Sequence, residues 1–242
     1  MRIIGLVIHL GRATARRPVA ENLVESCGVP ARLLDAVDGR ALAAKGELDR
    51  LVSATPHQPT FPFPMGPGEY GCFLSHRLAW EALLASDAEA ALILEDDVAL
   101  GADFPAALQL AIRHVAELGY VQLQTRLIAD GTPLDVEGNC RLYRPVITPL
   151  RTSGQLVDRA AASRLLDLSA KIDRPVDAFL QMHWLTGIRS GSIAPSGLTD
   201  ISATSGGSTL KSEKSLGQKL AREFHRFRYR RAILRLSQAA LR

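Results

Sequence analysis

This sequence predicts an α/β fold: a mostly parallel central sheet flanked by helices, with a C-terminal basic helical tail. Three observations carry the prediction. Strand-like and helix-like segments alternate through the first 125 residues, the pattern of a parallel sheet covered on both faces. The segments Ile3–Leu10 and Ala88–Glu95 are near-continuous apolar runs, as strands buried on both sides are. And 242 residues, 47% of them hydrophobic, supply ample material for one packed core.

Taken in order, Ile3–Leu10 is the first strand, and Pro18 opens a helix that runs to Cys27. A second strand over Ala31–Val37 ends at the turn signal Asp38-Gly39, and Leu42–Val52 is expected to be helical. Pro56, Pro59, Pro62, Pro64 and Pro67 then exclude a regular helix or a central strand. A loop of that length is either functional or disordered. Helical spacing returns over Gly68–Leu84, the key strand follows, and a helix is expected over Phe104–Leu118. Further strands are expected at Tyr120–Leu123, Arg141–Val146, Gln155–Val157 and Ser192–Ala194, and helices at Arg159–Leu168 and Val176–Leu185. A Ser/Gly-rich loop covers Ser202–Ser208.

The formal net charge of +4 conceals an asymmetry. Residues 211–242 hold ten Lys or Arg against two Glu, leaving the first 210 residues at −4. An acidic body with a basic attachment is not the composition of a nucleic-acid-binding domain. No apolar run approaches the roughly 18 residues of a membrane span. The N-terminal apolar run is brief and is followed by Arg12, Arg16 and Arg17, so it reads as a strand and not as a signal peptide. Cys27, Cys72 and Cys140 form no CxxC pair, and their odd number argues against a disulfide framework; a cytoplasmic location is expected.

The chain is organised around Glu95-Asp96-Asp97, three carboxylates at the end of an apolar strand. Strand alternation puts Glu95 and Asp97 on one side and Asp96 on the other. Converging carboxylates need a cation between them, and hard oxygen ligands suit Mg²⁺ or Mn²⁺. Otherwise the triplet is a solvated turn capping the next helix. In parallel α/β sheets ligands bind beyond the carboxyl ends of the strands, where this triplet lies.

Gly68-Glu69-Tyr70-Gly71-Cys72-Phe73-Leu74-Ser75-His76, followed by Leu92-Ile93-Leu94-Glu95-Asp96-Asp97-Val98, resembles the family 25 glycosyltransferases, bacterial lipopolysaccharide or lipooligosaccharide enzymes related to animal collagen galactosyltransferases. Val7–Arg12, Asp35–Arg40, Thr152–Val157 and Pro175-Val176-Asp177 resemble further segments of that family in the same order. Two departures from its pattern stand out, one in the opening segment and one in the later strand. His9 and Gly11 stand where more polar residues are usual, and Gln155 stands where a small residue is usual.

The resemblance implies a GT-A-like fold and a UDP-sugar donor, most commonly of galactose. It also implies a Mn²⁺ or Mg²⁺ ion held by Glu95 and Asp97, with Asp96 available to the sugar. It places Arg12, Arg16 and Asp38 with the donor-binding residues; Arg12 and Arg16 are equally well read as solvated charges at a helix start. An inverting transfer needs a general base for the acceptor hydroxyl. Asp177 occupies that place in the resemblance, and an Asp at a helix start also serves as a cap. His76 is the second candidate, with a structural hydrogen bond as its alternative. Trp80 reads as core, and Trp184 beside His183 as core or an acceptor platform.

From Lys211 the tail carries Leu216, Leu220, Phe224 and Phe227 at helical spacing among arginines, the pattern of a basic amphipathic helix on an anionic membrane surface. Packing back on the body is the alternative. With a glycolipid or oligosaccharide acceptor, such an enzyme would sit peripherally on the inner face of a bacterial membrane. Two other classes fit parts of the chain: a metal-dependent phosphohydrolase using the acidic cluster, and a non-catalytic module docked through its tail.

Overall fold

The computed structural model of the chain describes residues 1–128, 130–202 and 216–241. The elements run β1 (Ile3–His9), α1 (Arg17–Ser26), β2 (Ala31–Asp35), α2 (Gly39–Ala44), α3 (Pro67–Ala85), β3 (Ala90–Glu95) and β4 (Val98–Leu100). They continue as α4 (Phe104–Leu118), β5 (Tyr120–Leu123), β6 (Thr132–Glu137), β7 (Cys140–Arg144), β8 (Gly154–Asp158), α5 (Arg159–Leu168), α6 (Val176–Leu180) and α7 (His183–Thr186). The last are β9 (Gly191–Ala194), β10 (Leu198–Asp200) and α8 (Leu216–Ala239).

The eight-stranded sheet has the order β2-β1-β3-β8-β5-β9-β7-β6. β1 is parallel to β2 and β3, and β5 to β9, while β8 and β7 run against their neighbours. Six of the eight strands therefore share one direction, as the alternating segments predict, while four of the seven neighbouring pairs are antiparallel, so the sheet is mixed. β4 and β10 form a separate antiparallel pair.

Helices cover both faces. Val7, Leu92 and Leu94 pack with Leu23 of α1 and Leu110 of α4 in one core. Leu6, Ile8, Ala91 and Ile93 pack with Phe73 and Trp80 of α3, Leu165 of α5 and Phe179 of α6 in the other. The pleat thus assigns even and odd positions of β1 and β3 to opposite layers.

Three expected boundaries shift. The helix expected over Leu42–Val52 is instead α2 plus a 3-10 turn at Leu48–Arg50, because Gly46 between them takes the left-handed conformation at φ +68°. Val176–Leu185 is two short helices, interrupted at Met182, whose backbone leaves the helical region. The strand expected to reach Val146 ends at Arg144, before Pro145. β6, an exposed edge strand, and β4 and β10, each three residues long, are too polar or too short to show a pattern and escape sequence reasoning.

The tail helix packs on the body. Tyr229 stands edge-on to Phe61 of the proline-rich loop, its hydroxyl accepts a 3.1 Å hydrogen bond from Arg174 Nη1, and Ile233 is buried. The face turned inward is thus Tyr229, Ile233 and Ser237, at i, i+4 and i+8. Phe224 and Phe227, expected on the apolar stripe, are 59% and 60% exposed. The Ser202–Ser208 loop beyond Ser202, the start of the tail from Lys211, and the side chains of Leu216 and Leu220 lie outside the described residues.

Candidate active site

Glu95 ends β3 at an odd register position, which turns it toward the α3 layer. There its Oε1 accepts from His76 Nε2 at 2.9 Å and from Thr152 Oγ1 at 2.9 Å. Thr152 is in place because β8, antiparallel to β3, begins at the edge where β3 ends. Burial would raise the Glu95 pKa, but the hydrogen bonds from His76, Thr152 and Cys72 hold it below the ordinary value. His76 is fully buried, and its Nδ1 meets Gln155 Nε2 at 2.8 Å. Gln155 lies on the same face of β8 as Val157, which packs in the α3-side core.

The other parity gives the other pair. His9 ends β1 toward the α1 layer and contacts Asp96 Oδ2 at 2.7 Å, while Arg16 pairs with Asp96 Oδ1 at 2.9 Å. Asp96 is therefore committed to His9 and Arg16 at the base of the site. Of the residues that depart from the family pattern, His9 and Gln155 are both polar partners built into the acidic triplet's support.

Asp97 stands in the turn after β3, and its side chain takes no hydrogen bond among the described residues. Burial first, then the charges of Glu95 and Asp96, push its pKa up to about 6. Asp200 adds to that charge: β10 pairs Asp200 with Val98, and Ile201 N–H donates to the Asp97 carbonyl. Asp200 itself is held down at about 2 by Ser202 and by its ion pair with Arg151. Asp177, in the first turn of α6, accepts from the backbone N–H of Ala178 at 2.7 Å and of Arg151 at 3.2 Å. Burial raises its pKa despite these bonds.

Two cavities meet at this edge. The larger, about 550 Å³, is lined by Glu95, Asp97, Asp177, Asp200 and Arg151, with Phe61 and Phe63 of the loop and Arg226, Tyr229 and Arg230 of α8. The smaller, about 200 Å³, is lined by Arg12, Arg16, Arg40, Glu95, Asp96 and Asp97 with Ile8, Val37 and Gly71. Glu95, Asp97 and Cys72 line both. A tight backbone approach lies in the wall of the smaller one: a Cβ on Gly39 would lie 1.8 Å from the Pro67 carbonyl oxygen. Asp38 caps α2 by accepting from Arg40 and Ala41 N–H, and it pairs with Arg12 at 2.7 Å.

Of the residues singled out in the sequence, Glu95, Asp97 and Asp177 face the larger cavity, and Arg12, Arg16 and Asp96 the smaller. His76 lines the smaller cavity too, but both ring nitrogens are engaged, so it supports Glu95. Trp184 packs at the edge of the α3-side core and lines neither cavity. Sequence reasoning missed Asp200, Arg151, Thr152, Gln155 and the α8 residues as site components. Asp200 belongs to no motif, and the α8 residues reach the site only through tertiary packing.

As a donor set for a cation, Glu95 and Asp97 offer hard carboxylate oxygens in one cavity, with Asp200 held beside them by Arg151 and Ser202, and the raised Asp97 pKa marks a buried carboxylate among like charges there. That chemistry fits Mg²⁺ or Mn²⁺. Cys72, His76 and Glu95 also bring one ligand-capable atom each within 4.8 Å of one another.

The sequence profile of glycosyltransferase family 25 (LPS biosynthesis protein) matches residues 3–180, and the chain belongs to that family. Among curated relatives, a glycosyltransferase 25 family member of Aedes aegypti is 38% identical over 94 residues, 38% of this chain and 16% of that protein. Human procollagen galactosyltransferase 2 is 28% identical over 127 residues, 52% of this chain and 20% of that protein. A rat protein named probable inactive glycosyltransferase 25 family member 3 is 32% identical over 111 residues, 45% of this chain and 19% of that protein. The chain thus spans a fifth or less of the length of these relatives. Among solved structures, a mannose-1-phosphate geranyltransferase from Thermus thermophilus aligns with 80% of this chain and 74% of its own, at 14% identity and a TM-score of 0.42.

Proposed function

We propose that this chain transfers a sugar, galactose by the activity named for its human relative, from a UDP-sugar to a hydroxyl of a glycan acceptor. The observation that carries the reading is the meeting of two cavities at Glu95 and Asp97. The nucleoside end of the donor would enter the smaller, arginine-lined one, its diphosphate would reach the shared carboxylates, and sugar and acceptor would occupy the larger one with Asp177. The family description supports a lipopolysaccharide or other surface glycan as the acceptor.

Glu95 and Asp97, with Asp200 beside them, would hold Mn²⁺ or Mg²⁺, which supplies charge neutralisation for the departing diphosphate. His76 and Thr152 keep Glu95 ionised for that task. Arg12 and Arg16 border the nucleotide cavity, where guanidinium groups suit phosphate. Asp177 would take the acceptor hydroxyl proton as that oxygen bonds to the anomeric carbon opposite the leaving diphosphate, an inverting transfer. Its raised pKa suits a general base better than an ordinary carboxylate would. Exposed Phe224 and Phe227 among the α8 arginines support peripheral attachment to an anionic, inner bacterial membrane face. A second reading, a non-catalytic member, is favoured by the rat relative named as inactive.

The test is donor hydrolysis by purified protein over a panel of UDP-sugars, with Mn²⁺ and with chelator, for the wild type and Asp97→Ala. Metal-dependent UDP release from one donor, lost in the variant, is expected. No release from any donor, together with no UDP binding by calorimetry, would sink the transferase reading and leave the non-catalytic one.

A further inference from the structure

The larger cavity has two chemically different parts. The carboxylates come from strand ends and α6, whereas α8 contributes Arg226, Tyr229 and Arg230. Among the acidic lining residues, Asp200 is neutralised by Arg151, and Glu69 accepts from Gly66 N–H at the start of α3. Neither needs a partner from α8. Arg226 pairs with Glu223 one turn earlier on its own helix and lies over the Phe63 ring, 5.8 Å from its centroid. Arg230 has no ion pair among the described residues, although it borders a ligand-sized cavity.

The position of these arginines is fixed by the fold. α8 is anchored by Tyr229, whose hydroxyl accepts from buried Arg174 and whose ring meets Phe61 edge-on at 5.4 Å. Arg226 and Arg230 flank that anchor by three residues and by one, so anchoring the tyrosine delivers both guanidinium groups to the cavity rim. A guanidinium offers a planar fork of donors matched to phosphate and carboxylate oxygens. The neighbouring rings of Phe61 and Tyr229 offer apolar surface of the kind that packs on a sugar's C–H face.

We propose that the α8 wall is a subsite for an acidic saccharide, a sugar bearing a phosphate or a carboxylate. Arg230 and Arg226 hold the anion, and Phe61 and Tyr229 contact the ring. That this sugar is the acceptor rests on the glycosyltransfer reading, because Asp177 lines the same cavity; the binding itself does not. The tail's positive charge then serves acceptor choice, and a neutral sugar of the same shape binds more weakly.

The experiment is calorimetric titration of the full chain, without donor, with methyl glucoside, glucose 6-phosphate and methyl glucuronide. At least one acidic sugar is expected to bind about tenfold tighter than the neutral one, with the preference shrinking at high salt. Which of the two wins separates phosphate from carboxylate. The preference should vanish in Arg226→Ala/Arg230→Ala, persist in Arg230→Lys, and persist in Arg235→Ala, a charge control that does not line the cavity. Equal binding or no binding of all three sugars by the wild type, or a preference that survives the double alanine variant, overturns the proposal. Wild-type UDP release without acid preference would sink this subsite and leave the transferase reading standing. Acid preference without UDP release from any donor would do the reverse.

Discussion

Gln155 and His76 meet between sheet and helix, with the amide Nε2 2.8 Å from the ring Nδ1. A donor at Nδ1 leaves the ring proton on Nε2, which then donates to Glu95 at 2.9 Å. Gln155 thereby sets the tautomer of a fully buried histidine, and through it the ionised state of the carboxylate that faces both cavities. Replacing Gln155 with Leu frees the ring to take the other tautomer and turn a lone pair toward Glu95. Mn²⁺ affinity should fall about 10–100-fold, the usual consequence of losing a partner behind a ligand. Calorimetric titration of Mn²⁺ measures it, and wild-type affinity in Gln155→Leu would show the relay to be idle.

Asp97→Asn should abolish donor turnover and yet stabilise the metal-free protein. The folded-state pKa of about 6 lies above the unfolded value of about 3.9, so the native state binds the extra proton in that window. Stability therefore falls as pH rises from about 4 to 6, and the penalty is complete above it, on the order of 2 kcal/mol. Thermal melts in chelator at pH 8 should place Asp97→Asn above the wild type, with the gap closing near pH 4. A lower melting temperature for the variant at pH 8 would contradict the account of a buried carboxylate repelled by its neighbours.

Asp177→Asn keeps the shape of the side chain and removes the basic oxygen. The kcat for transfer should drop about 10²–10⁴-fold, the range of a general base. The acid limb of the wild-type profile should lie above the ordinary carboxylate range, because burial raises the Asp177 pKa. A wild-type kcat in the variant would reassign the role to another group.

Asp200 titrates in the opposite sense. Ser202 and Arg151 hold it at about 2, below the unfolded value of about 3.9, so its contribution is present above pH 4 and lost as pH falls toward 2. Asp200→Asn should lower stability at pH 6 and show a shallower acid-unfolding limb between pH 4 and 2. Parallel limbs for variant and wild type would remove Asp200 from the acid response.

Arg174 is fully buried, pairs with Asp173 at 2.8 Å, and donates to the His57 carbonyl and the Tyr229 hydroxyl. Arg174→Met strands the buried Asp173 carboxylate and should cost about 3–5 kcal/mol. The double variant Asp173→Asn/Arg174→Met should recover part of that loss in chemical denaturation. Protease cleavage within α8 should accelerate in the single variant, since its hold on Tyr229 is gone; unchanged cleavage would show that α8 docks without this contact.

Much of the site was legible in the chain itself. The apolar run before Glu95 marks a buried strand, and the resemblance of the Gly68–His76 segment marks the helix that faces it. The side taken by each acid was partly legible. Glu95 follows the pleat toward α3, but the chain turns after it, so Asp96 reaches His9 through the parallel pairing of β1 with β3. Asp200 was invisible because a three-residue strand without an apolar pattern carries no signal, and only its pairing with β4 brings it beside Asp97. The tail's helix was legible, and its inward face was not: Tyr229 and Ile233 face the body while the more conspicuous Phe224 and Phe227 face outward.

Hydrophobic periodicity and turn chemistry act over a few residues, so the sequence by itself determined most strands, most helices and the acidic triplet at a strand's end. Which β-strand lies beside which, and where a terminal helix docks, depends on burial and hydrogen bonds between residues far apart in the chain. The tertiary structure alone therefore decided that His9 and Gln155 support the acidic triplet. It also decided that Arg226 and Arg230 share a cavity with Asp177.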